Sequence, residues 1–584
     1  MFDTNRLRGP FYGLPDAGFA STLDCASLTA TREAIAIHMK VIDRKFYAIH
    51  ALSNWSAPIN RLPDETLVEI FTLANPKPQR VSALQFPPTR ATDPPLIGSH
   101  CWASLMLVCR HWNALIVGNA RLWHAIDVTM RSAYHLLFAC RYGSRYGAAL
   151  ELAFQVPKAV RILPEFDFLP PLVSKLLLPR MECKFLRHAF VALDQPWPKL
   201  EELTVLSKCR LPALHSPTPN IDLSMERFPM LSVLCLSGIA VSWDAGLLSR
   251  LSRLELVDCA HVGSPLTLDG FLDVLELCPG LQELRLHNFL SSVPPRRPRR
   301  RGRTVSLPVL KDFGLYDELA HVTELINTIH LPEDVRLHVG ATIENPDPND
   351  LEGPDRSAYD LKRLLPKNRH QFSIIRCAQT AKIEVRTGMM KLVVTDGDTY
   401  LILEIRVKDL PEDAHFMWSA VVPDAIAAVC DMLELTMLRE LEIVGNRDYV
   451  YLHDHLNYLE RFTELEVLRL EGHDEHLEGG AEIANVSEGL TRMMDYDEEE
   501  ECFFCPELRK LSFARVEWVD SSMDAIRKCL SLRAEHGLFL EELHLELDYP
   551  GVTSEDEFQV FKAPFYEELC ALVPGGKVTM KRVT

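Results

Sequence analysis

The feature that most constrains the fold is a leucine-containing pattern that recurs along the chain. Five copies carry a proline two residues before the first leucine, and they begin at Trp197, Phe228, Cys278, Leu307 and Cys505. Four copies without the proline begin at Leu251, Leu438, Leu465 and Leu540. Several intervals are about 30 residues, which is typical of repeat proteins whose units stack into a solenoid.

Each copy predicts a short strand with one apolar face. In CPGLQELRL, side chains alternate across the strand, so Leu284 and Leu286 should enter the core while Arg285 points away. Gln282 and Glu283 are also expected outside the core. The same contrast is predicted at Leu468 against Arg469 and at Leu543 against His544.

Segments with helical spacing of apolar residues lie between the strands. Examples are LDGFLDVLELC before Pro279, DELAHVTELINTI after Tyr316, PDAIAAVCDMLEL before Leu438 and SSMDAIRKCLSLRAEHG before Leu538. One strand and one helix cannot bury their apolar faces alone, so stacked units would form a continuous core. The predicted fold class is therefore α/β.

Residues 370–410 interrupt this pattern with β-branched runs. FSIIRC, AKIEVRT, KLVVT and TYLILEIRV predict antiparallel strands, and TDGD at Thr395 predicts a hairpin. The preceding ENPDPNDLEGPD is expected to be a surface loop.

Composition limits the possible function classes. A length of 584 residues favours several domains or one repeat array, and a net charge of −19 argues against general nucleic-acid binding. The first residues lack the apolar core of a secretory signal, and no apolar run is long enough for a membrane span. The 15 cysteines, in apolar contexts such as Cys278 and Cys529, predict reduced core thiols and a cytoplasmic or nuclear protein.

Near the N-terminus, INRLPDETLVEIFTLA predicts a short amphipathic helix. Leu67, Ile70, Phe71 and Ala74 follow helical spacing, and Pro63 suits the first helical position. Such a helix is too short to be stable alone, so its apolar face needs a neighbour.

A second helical pattern follows a proline-rich stretch. Leu105, Val108, Cys109, Trp112 and Leu115 keep helical spacing, Gly118 and Asn119 end the helix, and ARLWHAI predicts another helical turn containing Leu122 and Trp123.

In this order, LPDETLVEIF, LVCRHW and RLW resemble the F-box motif, and the proline-rich insertion is similar to that of fungal F-box sequences. The resemblance implies a trihelical module whose apolar surface binds the Skp-type adaptor of cullin–RING ubiquitin ligases. The implied adaptor-binding residues are Leu62, Pro63, Leu67, Ile70, Phe71, Leu105, Val108, Cys109, Trp112, Leu122 and Trp123. We favour an interface role for Leu62, Pro63, Leu67 and Ile70, whereas Phe71, Trp112 and Trp123 could equally form the core of the module.

The downstream pattern resembles irregular leucine-rich repeats, in which only Cys259 plainly fits the Asn/Cys position. The expected organisation is a disordered N-terminus at 1–30, a leading helix at 31–56, an F-box at 57–128 with a proline-rich insertion at 75–100, and a strand–helix solenoid with an antiparallel β insertion at 129–584.

Other motifs give weaker signals. PPRRPRRRGR at Pro294 is an import signal, a phosphate-binding arm or an unstructured loop, and DYDEEEE at Asp495 is expected to be a solvated loop. CFFC at Cys502 lacks a second ligand pair, so a core role is preferred to zinc binding. HDEH at His473 and HDH at His453 are expected to be solvated rather than metal ligands.

No motif supports catalysis, a cofactor or a metal. The expected function is substrate recognition in an SCF-type ubiquitin ligase, with the F-box on the adaptor and the repeats on an unknown protein target. Two alternatives remain open at this point: a protein-binding scaffold outside a ligase, and a hydrolase or metalloenzyme in the C-terminal region.

Overall fold

The computed structural model describes most of the chain with gaps. The described residues are 25–74, 105–106, 108–123, 125–128, 150–154, 158–161, 169–208, 220–242, 245–261, 267–290, 304–344, 360–386, 388–408, 421–433, 436–445, 452–472, 480–495, 501–517, 519–548, 555–573 and 575–582. They fall into two compact units: the first contains the described residues up to Ala125, and the second contains those from Ile126 onwards.

The first unit is helical. Its elements are helix α1 (Cys25–Ser56), a 3-10 helix (Pro58–Arg61), α2 (Asp64–Ala74), α3 (Arg110–Gly118) and a 3-10 helix (Ala120–Trp123). The helix α1 starts earlier than the predicted residue 31, because the Ala, Ser, Leu and Thr residues before that position are compatible with a helix.

The second unit is built on strands. The strands are β1 (Ala125–Val128), β2 (Leu150–Phe154), β3 (Val173–Met181), β4 (Glu202–Ser207), β5 (Asn220–Asp222), β6 (Val233–Ser237), β7 (Ala240–Ser242), β8 (Arg253–Val257), β9 (Ala260–His261), β10 (Glu283–His287), β11 (Val305–Ser306), β12 (Asp312–Glu318), β13 (Ile329–His330), β14 (Arg336–Ile343), β15 (Thr380–Arg386), β16 (Met389–Asp396), β17 (Thr399–Val407), β18 (Glu440–Gly445), β19 (Val467–Glu471), β20 (Met493–Asp495), β21 (Glu501–Phe503), β22 (Lys510–Glu517), β23 (Glu542–Asp548) and β24 (Lys577–Arg582).

Helices connect many of these strands. They are α4 (Cys183–Leu193), α5 (Ala245–Leu248), α6 (Leu268–Glu276), α7 (Leu319–Ile326), α8 (Ser373–Cys377), α9 (Val421–Met432), α10 (Leu452–Arg461), α11 (Gly480–Gly489), α12 (Asp520–Glu535) and α13 (Glu555–Leu572). Two further 3-10 helices span Leu361–Leu364 and Arg369–Gln371. Four helices, α6, α7, α9 and α12, confirm the helical segments predicted between the leucine patterns.

In the described part of the chain, 17 strands form one large sheet. Neighbours in this sheet are mostly neighbours in sequence: β2, β3, β4, β6, β8, β10, β12 and β14 pair in parallel, one after another. The parallel series resumes as β15, β18, β19, β22, β23 and β24. Because the strand order follows the chain in this way, each strand-containing repeat packs mainly on the next repeat.

All nine leucine patterns form strands of this sheet. Leu284, Leu286, Leu468 and Leu543 are fully buried, whereas Gln282 and Arg469 are exposed. The predicted strand register is therefore confirmed. Arg285 and His544 are only half-buried, so the face opposite the leucines also has packing partners.

The predicted antiparallel insertion is present. The strands β15, β16 and β17 form an antiparallel meander, whose hairpin turn lies between Asp396 and Thr399. Its outer strands pair in parallel with β18 and β14, so the insertion continues the sheet. The prediction for FSIIRC was wrong: Ser373–Cys377 is a helix that buries Ile374 and Ile375, because a short apolar run does not distinguish a buried helix from a strand.

The residue that follows the strand adopts a left-handed conformation in two consecutive repeats. Asp258 has φ 49° and Asn288 has φ 47°, and each backbone N–H donates to a strand carbonyl of the next repeat, that of His287 or Tyr316. Cys259 adds a thiol that donates to the Leu236 and Val257 carbonyls. Short polar residues suit this conformation, so the turn is a second repeated feature.

Several sequence predictions lie outside the described residues. They are the disorder before residue 25, the proline-rich insertion at 75–100, the loop after Glu344, the basic tract from Pro294 and the HDEH motif at His473.

Candidate functional site

The inner side of α2 forms the core of the first unit. Leu67 and Phe71 are buried, and the Phe71 ring lies 4.8 Å from the Trp112 ring of α3. Ile116, Leu122 and Trp123 are also buried. The two short helices and the following 3-10 turn therefore share one small core, as expected for a trihelical module.

Polar bonds fix the edges of this core. The Trp112 indole N–H donates to the Asn60 side-chain oxygen at 2.5 Å, and the Asn60 amide donates to the Asn54 carbonyl. The Trp123 indole N–H donates to the Ile116 carbonyl at 2.7 Å. Both tryptophans thus use their single donor inside the unit, which holds their rings in one orientation.

The outer side of α2 carries apolar side chains that the described residues leave exposed. Ile70 is 36% exposed and Leu73 is 76% exposed, and a spacing of three residues makes them neighbours on the helix surface. Leu62 is 37% exposed, and Pro63, directly before the helix, is also exposed. We call Leu62, Pro63, Ile70 and Leu73 the docking face.

Leu67, which was predicted for the interface, has no exposed surface and lies in the core with Phe71. The stripe at i, i+3 and i+4 is thus divided, because Ile70 is 36% exposed. A role of Leu67 in adaptor binding stays a prediction. Sequence reasoning also missed Leu73, which lies away from that stripe, and Ile59, which is 38% exposed. The sequence signal for this exposed side of the helix was the pair Ile70 and Leu73, whose spacing of three residues makes them neighbours on the helix surface.

The second predicted helix is interrupted. Cys109 is extended and caps α3, where its sulfur accepts the Trp112 backbone N–H at 3.4 Å. Because helical spacing continues across Cys109, the break was not visible in the sequence. Val108 is 46% exposed, while Leu105 and Cys109 are half-buried. Pro63 precedes α2 rather than beginning it, and its carbonyl accepts the Leu67 N–H.

The second unit has a polar surface on the sheet face opposite the leucines. Asp312 is almost fully buried there, and its carboxylate accepts bonds from Arg285 at 3.1 Å and from Tyr400 at 3.2 Å. Arg336 lies 3.5 Å from the same carboxylate. The Asp312 carboxylate thus links side chains from β10, β12, β14 and β17. These contacts compensate for the free-energy cost of burying its charge.

An aromatic group continues this surface. His287 stacks on Tyr316 with ring centroids 4.9 Å apart, and the Arg406 guanidinium lies 5.7 Å from the Tyr316 ring. Gly340 pairs with both Tyr316 and Glu404. A Cβ atom at Gly340 would meet the Tyr316 ring at 2.3 Å, so the ring lies where a side chain would stand.

Burial controls the ionisation of the histidines on this face. Burial lowers the pKa of His287 to about 4. Burial also lowers the pKa of His338 to about 3, and Lys391 adds to the effect. Both rings are therefore neutral at pH 7, which suits stacking and hydrogen bonding rather than charge pairing.

The cysteines singled out by sequence act as packing groups. The Cys278 thiol donates to the Leu248 and Val274 carbonyls, and the Cys505 thiol donates to the Leu459 carbonyl at 3.3 Å. Burial raises the pKa of Cys278 to about 11 and that of Cys505 to about 12. Protonated, buried thiols of this kind are poor nucleophiles and poor metal ligands.

The HDH motif differs from its prediction. It lies in α10 rather than in a loop, and His455 is fully buried with its Nδ1 atom 2.8 Å from the Tyr458 hydroxyl. His453 is exposed beside Asp454. Helical spacing therefore directs the two histidines to opposite environments.

The described residues contain no group of three or more His, Cys, Asp or Glu side chains arranged to hold a metal ion. Within the same ranges, no helix has the length and apolar character needed to cross a bilayer.

Comparison with known families bears on the first unit. A family model described as F-box-like matches residues 59–129, which include α2, α3 and the docking face. The comparison with curated proteins gives no significant match. Domains of this type are typically non-catalytic, generally bind Skp-type adaptors and suggest a ubiquitin-ligase adaptor role. The chain therefore carries an F-box-like domain at residues 59–129.

Proposed function

We propose that this chain is the substrate-recognition subunit of an SCF-type cullin–RING ubiquitin ligase. The docking face would bind the Skp-type adaptor, and the second unit would hold the protein target. The observation that carries the proposal is the exposed apolar side of α2 within an F-box-like domain.

The docking face has the chemistry of a protein interface. Leu67 and Phe71 fill the interior, whereas Ile70 and Leu73 keep 36% and 76% of their surface exposed. Leaving two large aliphatic side chains in water on one helix face is unfavourable, and a groove on another protein would bury them.

The second unit supports target binding through its sheet. We propose that it is a leucine-rich-repeat-like solenoid, because its parallel strands follow one another in chain order and repeat the same leucine register. Its face opposite the leucines carries Arg253, Glu283, Asp312 and Arg336 at equivalent register positions, and the Tyr400 hydroxyl donates to Asp312 beside them. Such a row of polar and aromatic side chains on a rigid support is suited to reading a protein surface.

The proposed contribution to catalysis is proximity. The chain would bring a target lysine close to a ubiquitin-loaded enzyme held by the other subunits, which raises the effective concentration of the reacting groups. In this proposal the chain supplies no catalytic residue, needs no cofactor and acts in the cytoplasm or nucleus.

The test is a binding titration of the purified full-length chain with a purified Skp-type adaptor. Changing Ile70→Asp and Leu73→Asp should weaken adaptor binding by about 100-fold or more, because each buried aliphatic anchor contributes about 1–2 kcal/mol or more. Both side chains are exposed in the free chain, so its circular dichroism spectrum and melting temperature should be nearly unchanged.

A matched control is Met437→Asp. Met437 is 73% exposed, close to the value for Leu73, but it lies in the second unit. This variant should bind the adaptor like the wild type. Unchanged binding by the Ile70 and Leu73 variant would contradict the assignment of the docking face.

A further inference from the structure

The helix α1 presents an apolar surface that no described residue of the first unit covers. Between Thr29 and Ser53, every side chain that the structure describes is exposed. The large apolar side chains along this stretch are 44–67% exposed, and five of them share one regular spacing: Ile35, Met39, Ile42, Phe46 and Ile49. A helix of 32 residues with so much free apolar surface needs a partner to be stable in water.

The spacing of these five residues identifies the kind of partner. Counted from Met39, the intervals alternate between three and four residues, so Met39 and Phe46 occupy a positions while Ile35, Ile42 and Ile49 occupy d positions of a heptad. A strict a/d pattern forms a narrow seam that packs against another helix by knobs-into-holes packing. We call these five residues the seam.

We propose that the seam joins α1 to the same helix of a second copy of this chain, as a parallel coiled coil. In register, each seam residue meets its own counterpart, which gives five consecutive apolar layers. Five such side chains from each helix offer on the order of 1,000 Å² of buried surface, which is the lower limit for a specific interface.

The flanking charges favour the parallel arrangement of two copies. Residues at g positions face residues at e positions five places further along the partner. This arrangement sets His38 beside the partner's Asp43, and Lys45 beside the partner's His50. The first pair sets an imidazole beside a carboxylate, and neither pair brings two carboxylates or two lysines together.

The antiparallel alternative is less favourable. Two antiparallel registers each give four apolar layers, one fewer than the parallel pair. The register that sets Ile42 against the partner's Phe46 also brings Asp43 close to the partner's Asp43 and Lys45 close to the partner's Lys45, and these like charges oppose it. The register that sets Met39 against the partner's Ile42 leaves Ile49 facing the partner's Arg32. The parallel pair is therefore preferred.

A parallel pair has a consequence for the assembly. It brings the two C-terminal ends of α1, at Ser56, next to each other, and the F-box-like domain begins at residue 59. One particle would therefore carry two docking faces and two target-binding units, which raises the avidity for multivalent targets. The association itself does not depend on the proposed ligase function.

The test is the mass of the full-length chain in solution, measured by sedimentation equilibrium at micromolar concentration. The wild type should be at least a dimer. Changing Ile35→Glu, Ile42→Glu and Ile49→Glu should raise the dissociation constant at least 100-fold and give a monomer. A monomeric wild type would overturn the proposal.

The control variant is Ile37→Glu, Val41→Glu and Tyr47→Glu. These side chains are 44–67% exposed, like those of the seam, but they occupy the f, c and b positions of the same helix. This variant should associate like the wild type, and dissociation equal to that of the seam variant would overturn the proposed register.

Exchanging the charges at positions 38 and 43 tests whether association is lost through a specific contact or because the substitutions unfold the helix. Asp43→Lys should weaken association at least threefold, and adding His38→Asp should restore it, because only the parallel pair sets these two positions together. Absence of this rescue would overturn the parallel arrangement.

Discussion

Leu284 and Arg285 are neighbours in β10, but they lie on opposite faces of the sheet. Leu284 is fully buried among the other leucines, whereas the Arg285 guanidinium is bonded to the buried carboxylate of Asp312. Both side chains are therefore tied to the interior, one by apolar packing and the other by a charge-assisted bond between strands.

Alanine substitutions at these two positions should both be costly. Leu284→Ala should lower the free energy of unfolding by about 2–5 kcal/mol, because it leaves a cavity in the core. Arg285→Ala should cost about 1–3 kcal/mol, because it removes a charged donor from the buried Asp312. Urea denaturation followed by intrinsic fluorescence measures both effects.

Arg469→Ala is the matched control, since Arg469 occupies the equivalent position in β19 and is exposed. Its side chain contacts Glu440, which is itself partly exposed, and exposed ion pairs contribute little. The control should cost less than about 0.5 kcal/mol. An Arg285→Ala variant as stable as the control would contradict the stabilisation of the buried Asp312 carboxylate by Arg285.

At the scale of elements, the alignment of β12, β14 and β17 depends on a glycine. Gly340 in β14 leaves room for the Tyr316 ring, which stacks on His287 and lies close to Arg406. Tyr316 is almost fully buried, so its ring cannot move aside without losing these contacts.

Gly340→Ala should therefore destabilise the second unit by about 1–3 kcal/mol through overpacking. The added Cβ atom would meet the Tyr316 ring at 2.3 Å and 2.6 Å. The control is Gly280→Ala, because an added Cβ atom there has no neighbour within 4 Å. Thermal unfolding compares the two, and equal melting temperatures would contradict the packing of Tyr316 over β14.

Local patterns account for the elements that could be predicted. The nine strands and four helices follow from side-chain alternation and helical spacing, which need no knowledge of distant residues. The helix at Ser373–Cys377 could not be predicted, since Ile374 and Ile375 suit either element and their burial depends on the surrounding fold. The Arg285–Asp312 bond also escaped prediction, because it joins residues 27 positions apart.

At the scale of the whole molecule, the sequence located the F-box-like helices but not which of their side chains are exposed. A helical wheel shows which residues share a face, but the neighbours decide which face is covered. Phe71 meets Trp112, which lies 41 positions later in the chain, and this contact turns Leu67 inwards and leaves Ile70 and Leu73 outside. Adaptor binding through this face remains a prediction.

The most direct test of the central claim is affinity purification of the tagged full-length chain from cells, with quantification of the Skp-type adaptor and the cullin. The account predicts that the wild type retains both proteins and that the Ile70→Asp, Leu73→Asp variant loses both, while Met437→Asp retains both. Adaptor without cullin on the wild-type chain would contradict a role in a ligase, and neither protein would contradict the proposed docking itself.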